Sequence, residues 1–204
     1  MAILISDSRI EEQLLKRRRA QGADHHDESW EGVYFIPPVA NDEHQDIVAE
    51  LTAILTEVVR RPGLGKVRPG INLAGWQADW EDDYRCPDVA VFLNETSAEC
   101  LGTHWRGGAD FVVEVVSPGD RTREKIPFYA KIGVRELLIV NREPWLLELY
   151  RLHEDKLAKV GQSAPPDGEL LVGEAVPLRF RLLPGEPRPT IEVTHRDGGR
   201  TWLI

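Results

Sequence analysis

Three side chains of this sequence have the types and the spacing to do chemistry together. Asp88 heads the run Pro87-Asp88-Val89-Ala90-Val91-Phe92-Leu93, and Glu114 sits inside Asp110-Phe111-Val112-Val113-Glu114-Val115-Val116-Ser117. Lys125 follows in a short helical pattern with Phe128, Tyr129 and Ile132. Runs rich in Val and Phe, bounded by turn formers, read as strands buried on both faces. Buried acids are almost always paired or bound to a metal. If the two strands are neighbours, period-two alternation sends Asp88 (with Ala90 and Phe92) and Glu114 (with Val112 and Val116) to one side. Two ionised carboxylates ~4 Å apart then repel by ~4 kcal/mol at an effective dielectric of about 20, and burial adds a desolvation cost for each ion. A Lys or Arg for each acid, or a shared proton, would relieve this. A divalent cation removes both costs at once, and we expect one here. Oxygen ligands with few imidazoles or thiolates point to Mg²⁺ or Mn²⁺ rather than Zn²⁺.

Lys125 shares its predicted helix face with Phe128, Tyr129 and Ile132, whereas ordinary lysines take the wet side. Two roles fit. It is a salt-bridge partner for Glu114, or it orients an attacking water and stabilises charge developing on a phosphate oxygen. The two share a geometry, and the sequence does not separate them.

These residues need a scaffold. Ser8-Arg9-Ile10-Glu11 fits a capping box opening a helix over 8–20. Gln21 to Ser29, with His25 and His26, could bind metal but reads better as a mobile polar loop. Gly32 to Ile36 looks like a strand stopped by Pro37-Pro38. Asn41 caps a helix whose apolar residues recur from Ile47 to Val59, ending at Arg61 before Pro62-Gly63. His44, in its first turn, is read first as a core-edge histidine and second as a group reaching toward the acids. Lys66 to Leu73 reads as one strand interrupted at Pro69-Gly70. Gly75 to Arg85 is an acidic, aromatic loop, and Asn94 to Gly108 is a connection. Pro127 requires the Lys125 helix to begin near Arg123 or Glu124, and Gly133 stops it. Glu136 to Val140 is a buried strand, and Trp145 to Leu152 returns beside it as a hairpin. Beyond Leu152 the pattern weakens. Val176 to Leu182 alternates like a strand, and Ile191 to Ile204 resembles a hairpin turning at Asp197-Gly198-Gly199.

The chain of 204 residues is long enough for a substantial core, and its 42% hydrophobic and 29% charged content is that of a soluble globular protein. No apolar run reaches membrane-spanning length, and the first residues lack the pattern of a signal peptide. Two cysteines argue against a disulfide framework and make a reducing cytoplasm the expected compartment. A net charge of −9 works against nonspecific nucleic-acid binding without excluding it, since a metal-dependent nuclease gathers carboxylates that cations neutralise. The basic clusters (Lys16 to Arg19; Arg60, Arg61, Lys66 and Arg68; Arg121 to Lys125) read as solvated faces.

The element order helix, strand, strand, strand, helix, strand, with Pro87-Asp88, Glu114 and a nearby lysine, resembles the PD-(D/E)XK nuclease superfamily. More narrowly, Phe111 to Pro118, Asp120-Arg121, Lys125, Tyr129 and Gly133-Val134-Arg135-Glu136 resemble the Uma-type restriction-endonuclease-like family of bacteria, a domain-of-unknown-function family. Gly32, Pro37-Pro38 and His44-Gln45 fit its entry to the first core helix. The likeness spans roughly Trp30 to Leu152.

This resemblance implies an α/β (α+β) fold with an αβββαβ core, its mixed central sheet flanked by helices. A single domain over 1–204 is expected, with the core at about 30–152, an added N-terminal helix and a C-terminal β extension from 153. It also implies a metal-dependent phosphodiesterase. Asp88, Glu114 and a backbone carbonyl near Val115 would hold the metal, and Lys125 would act as the electrostatic or water-orienting group. His44, Tyr129 and Glu31 would support them, with Arg121 and Arg123 as weak nucleic-acid contacts. The superfamily lysine two residues after the glutamate is Val116 here, so Lys125 stands in from the helix; Pro127 and the long C-terminal tail also depart from the pattern. The leading function is DNA cleavage by metal-activated water in a homodimer. Next come a noncatalytic nuclease-fold module for nucleic-acid or protein binding, and an enzyme acting on a smaller phosphoester.

Overall fold

The computed structural model describes residues 3–5 and 8–204. Residues 1, 2, 6 and 7 of the opening segment, which is expected to carry no leader, lie outside the described residues, as do the Ser8 and Glu11 side chains of the expected capping box. Strand β1 (Ile3–Ile5) precedes α1 (Ser8–Gln21). Arg18 and Arg19 suit the negative end of the α1 dipole and also pair with Asp27 and Glu81. Strands β2 (Glu28–Trp30) and β3 (Val33–Ile36) then form a hairpin whose turn holds Glu31 and Gly32 at positive φ. The polar loop expected at Gln21 to Ser29 is shorter than that: it spans Gly22 to Asp27, and Asp27, Glu28 and Ser29 are buried. The polarity of Glu28 and Ser29 hides the start of a strand, and Asp27 just before it is satisfied by Arg18 and the Tyr34 hydroxyl.

In α2 (Asp42–Leu55) the Asn41 side chain accepts the His44 N–H at 3.0 Å, and Ile47, Leu51, Ile54 and Leu55 form the buried stripe. The helix continues as a π-turn over Thr56–Arg60, burying Val58 and Val59. The single strand expected from Lys66 to Leu73 divides at Pro69-Gly70 into β4 (Gly65–Pro69) and β5 (Asn72–Ala74), which join different sheets. Proline cannot donate to a ladder, and Gly70 turns the chain at φ 55°.

Strands β6 (Tyr84–Arg85), β7 (Val89–Leu93), β8 (Glu99–Cys100), β9 (His104–Arg106) and β10 (Phe111–Val115) follow. The stretches read as loops thus contain β6, β8 and β9, which are too short to show alternation. Ring stacking anchors them: Trp105 on Phe92 at 3.6 Å and Trp80 on His104 at 4.0 Å between centroids. A 3-10 turn (Thr122–Lys125) leads into α3 (Ile126–Ile132), so regular helix begins later than expected, with Pro127 in the first turn. Strands β11 (Glu136–Arg142) and β12 (Trp145–His153) form the expected hairpin. Strand β13 (Lys156–Ser163) has no counterpart in the sequence pattern, since only Leu157 and Ser163 along it are buried. Strands β14 (Leu171–Val172), β15 (Leu178–Leu183), β16 (Thr190–His195) and β17 (Thr201–Leu203) form a four-stranded meander that includes the terminal hairpin.

The central sheet has the order β13-β12-β11-β10-β7-β4, with β10 and β11 parallel and the other pairs antiparallel. Its core reads α2, β4, β7, β10, α3, β11, the expected αβββαβ arrangement in a mixed α/β fold. One face (Val89, Val91, Phe111, Val113, Val115, Leu138, Val140) packs on α2 and on the C-terminal meander, where Phe111 stacks on Phe180. The other (Ala90, Phe92, Val112, Leu137, Ile139) packs on α3 and on Leu73 and Trp105 of a seven-stranded sheet. Val89 pairs with Val113, which sets Asp88 opposite Glu114 at the open end of β7. Glu114 in turn pairs with Ile139, and Ile139 with Glu148. Among the described residues no helix is long and apolar enough to cross a membrane.

Candidate active site

Asp88 lies one residue before β7, where its carboxylate reaches past the end of the ladder. Its Oδ2 accepts the Val115 N–H at 2.7 Å, and its Oδ1 lies 3.0 Å from His44 Nε2. Glu114 is 3% exposed. Its Oε1 accepts from the Tyr129 hydroxyl at 2.5 Å, and Lys125 Nζ lies 3.1 and 3.3 Å from its two oxygens. Lys125 closes the 3-10 turn four residues before Tyr129 of α3, so both descend on Glu114 from the same side of the helical segment. The first-turn histidine of α2 is the group that reaches Asp88, and its Nδ1 lies 3.1 Å from Ser117 Oγ.

The residue that sequence reasoning missed is Glu28. It is 1% exposed, and its Oε1 lies 2.8 Å from Lys125 Nζ. Its remaining partners are the Cys86 N–H at 2.9 Å and the Trp30 indole N–H at 2.7 Å. A usable signal was present in Glu28-Ser29-Trp30-Glu31-Gly32, where a glycine turn follows a short alternating stretch. Glu31, expected to support the site, is instead exposed in the β2–β3 turn at φ 52°, and its N–H bonds Asp83. Strand alternation across that turn places Glu28, and not Glu31, under Lys125.

Arg121 and Arg123 lie beside the cleft but each meets a carboxylate. Arg121 pairs with Glu124 and lies over the Trp30 ring, while Arg123 binds Glu148 at 2.5 Å. His25 and His26 are exposed at the rim, and His26 Nδ1 comes within 3.8 Å of Cys86 Sγ. Asp88, Glu114, Glu28, His44, Ser117 and Lys125 line one cleft of about 790 Å³.

The electrostatics are unbalanced. Glu28 and Glu114 share one ammonium, while Asp88 has only an imidazole and a backbone amide. Burial pushes Glu114 up to about 8 against the pull of Lys125, with Asp88 and Glu28 adding repulsion. For Lys125, burial alone would lower the ammonium, but Glu114 and Glu28 outweigh it and hold it above its ordinary value. Tyr129 is raised well above a free phenol, first by burial and then by Glu114, so it stays a hydrogen-bond donor.

This donor set fits a hard divalent cation. Each Asp88 oxygen has one hydrogen-bond partner and so keeps a lone pair. The Val115 carbonyl points the same way as its N–H, toward Asp88, because a strand residue directs both groups to one neighbour. Among the described residues no three His, Cys, Asp or Glu side chains are grouped to hold a metal alone. Mg²⁺ has no need of such a cage, binding through one or two carboxylates with water and substrate completing its shell.

An α/β chain with this core and an acid-rich cleft belongs, by its architecture, with the nuclease folds. The crystal structure of "a putative nuclease belonging to DUF820" from Anabaena variabilis ATCC 29413 has a similar fold, with a TM-score of 0.59 and 17% identity over 73% of this chain and 82% of that one. The family described as "Uma2: Putative restriction endonuclease" matches residues 11–184, and the chain belongs to that family. Among curated proteins there is no match.

Proposed function

We propose that the protein is a metal-dependent endonuclease that hydrolyses DNA phosphodiester bonds. The observation that carries this reading is the surplus of carboxylate: Glu28 and Glu114 share the ammonium of Lys125, and Asp88 stands opposite Glu114 with only an imidazole and a backbone amide as partners. Asp88, Glu114 and the Val115 carbonyl would hold Mg²⁺ or Mn²⁺. When bound, the cation supplies Lewis-acid polarisation of a phosphoryl oxygen and makes a water more acidic. Lys125 keeps a fixed positive charge beside the reacting phosphate, where charge developing in the transition state is stabilised without reorganisation. Glu28 and Tyr129 hold Lys125 and Glu114 in place. His44 and the Val115 amide hold Asp88.

Val116 stands where the superfamily carries its lysine, and Glu28 draws on the charge of Lys125. Both features favour the second reading, a nuclease-fold module that binds without cleaving. The two part in one experiment. Supercoiled plasmid and single-stranded DNA are incubated with Mg²⁺ or Mn²⁺, using wild type, Asp88→Ala and Glu114→Ala. Cation-dependent nicking lost in both variants is expected. No cleavage by wild type beyond Glu114→Ala would move the protein to the binding-module reading.

A further inference from the structure

Ser117 lies three residues beyond Glu114, past the end of β10, and its side chain is buried. Its hydroxyl is 3.1 Å from His44 Nδ1, and His44 Nε2 is 3.0 Å from Asp88 Oδ1. An ionised carboxylate only accepts hydrogen bonds, so Nε2 carries a hydrogen. In the neutral ring Nδ1 is then the acceptor, and the Ser117 hydroxyl donates to it. The opposite tautomer would turn a nitrogen lone pair toward Asp88 and leave one of its oxygens without a donor.

We infer that Ser117 is a positioning residue: through the tautomer of His44 it fixes the Asp88 carboxylate. The inference rests on the proposed role of Asp88 as a cation ligand.

The surrounding bonds keep this relay in register. The Ser117 N–H donates to Asp120 Oδ2 at 2.5 Å, which fixes the backbone independently of the hydroxyl. Arg142, buried, donates from Nε to the Val116 carbonyl at 3.1 Å and from Nη1 to Asn41 Oδ1 at 2.7 Å and Glu43 Oε2 at 2.9 Å. The same Asn41 oxygen accepts the His44 N–H. One guanidinium therefore ties the strand end that carries Ser117 to the helix start that carries His44. With Oδ2 held by the Val115 N–H, neither oxygen of Asp88 is left to swing. Partners that orient a metal ligand from behind typically matter by roughly 10–100-fold in metal affinity.

The test has two readouts. In metal-free protein labelled with ¹⁵N-histidine, the nitrogen shifts of His44 are expected to report the Nε2–H form, and Ser117→Ala to populate the Nδ1–H form. In calorimetric titration with Mn²⁺, Ser117→Ala should weaken binding roughly tenfold with little change in melting temperature, and Ser117→Thr, which keeps the hydroxyl, should restore it. A His44→Gln side chain donates to Asp88 through an amide that has no tautomer to choose, so adding Ser117→Ala there should change nothing further. An Nδ1–H ring in wild type would overturn the inference. So would unchanged Mn²⁺ affinity in Ser117→Ala, or an equal loss in the His44→Gln background. A wild type that binds no Mn²⁺ would fail the cation reading instead, and the nitrogen shifts then decide the relay alone.

Discussion

Two buried glutamates stand in one cross-strand row of the central sheet, two strands apart, in opposite electrostatic settings. Glu148 accepts from Arg123 at 2.5 Å and from Lys159 and the Tyr150 hydroxyl at 3.3 Å, so two cations serve one acid. Glu114 meets one ammonium, which Glu28 shares, and Asp88 faces it from the next strand. A third buried acid, Glu136, follows the pattern of Glu148, with Arg151 at 2.9 Å and the amides of Glu174 and Ala175. Burial of an acid is thus uninformative in this molecule. What separates the two kinds is whether the protein balances the charge by itself, and a surplus left in a cleft is the mark of a site.

The most disruptive way to probe this difference is Lys125→Met, which keeps length and apolar bulk but leaves Glu28 and Glu114 buried with no cation. Stability in metal-free urea unfolding should fall by about 3–5 kcal/mol. Mg²⁺ at about a hundred times its Kd should return ~2.7 kcal/mol. An unchanged midpoint would mean that Lys125 neutralises nothing. Glu114→Gln should lower cleavage by roughly 10²–10³-fold while raising the metal-free urea midpoint, because one competitor for Lys125 is gone and the Tyr129 bond survives. The matching change at the balanced position, Glu148→Gln, should do the reverse. Stability should fall by about 1.5–3 kcal/mol and plasmid nicking should persist. Equal signs for the two glutamines would erase the distinction.

How far the sequence discloses this site depends on what each residue does to its neighbours. Asp88, Glu114 and Lys125 break apolar patterns, so they stand out, and the order of core elements follows from the same runs. His44 is visible only as one polar residue on an apolar face, and its partner depends on where α2 points. Glu28 lies hidden because its surroundings from Asp24 to Ser29 are all polar, and partners from Arg18 to Lys125 are what bury the segment. Strands of two or three residues, such as β6 and β8, are too short for alternation to show. The split between β4 and β5 was marked by Pro69-Gly70, but the sheet each half would join is a tertiary fact. Arg123 is the instructive case: a basic residue beside a nuclease-like cleft reads as a phosphate contact, and in the structure a buried glutamate two strands away pairs with it.

Arg123 is also where the two glutamates communicate, since it lies two residues before Lys125 in the same 3-10 turn. Glu148 holds one side of that turn and Glu114 the other. Arg123 is 47% exposed, so Arg123→Ala should cost only about 0.5–1 kcal/mol, with Lys159 still covering Glu148. Cleavage should slow by a few-fold as Lys125 gains freedom. The decisive measurement is DNA affinity against salt, made in the Asp88→Ala background so that no strand is cut. If Arg123 serves Glu148, the slope of log K on log salt stays the same when Arg123 is removed. A slope smaller by ~1 would place its guanidinium on a phosphate, and the pairing that makes Glu148 the balanced member of the row would then be one the protein gives up when DNA arrives.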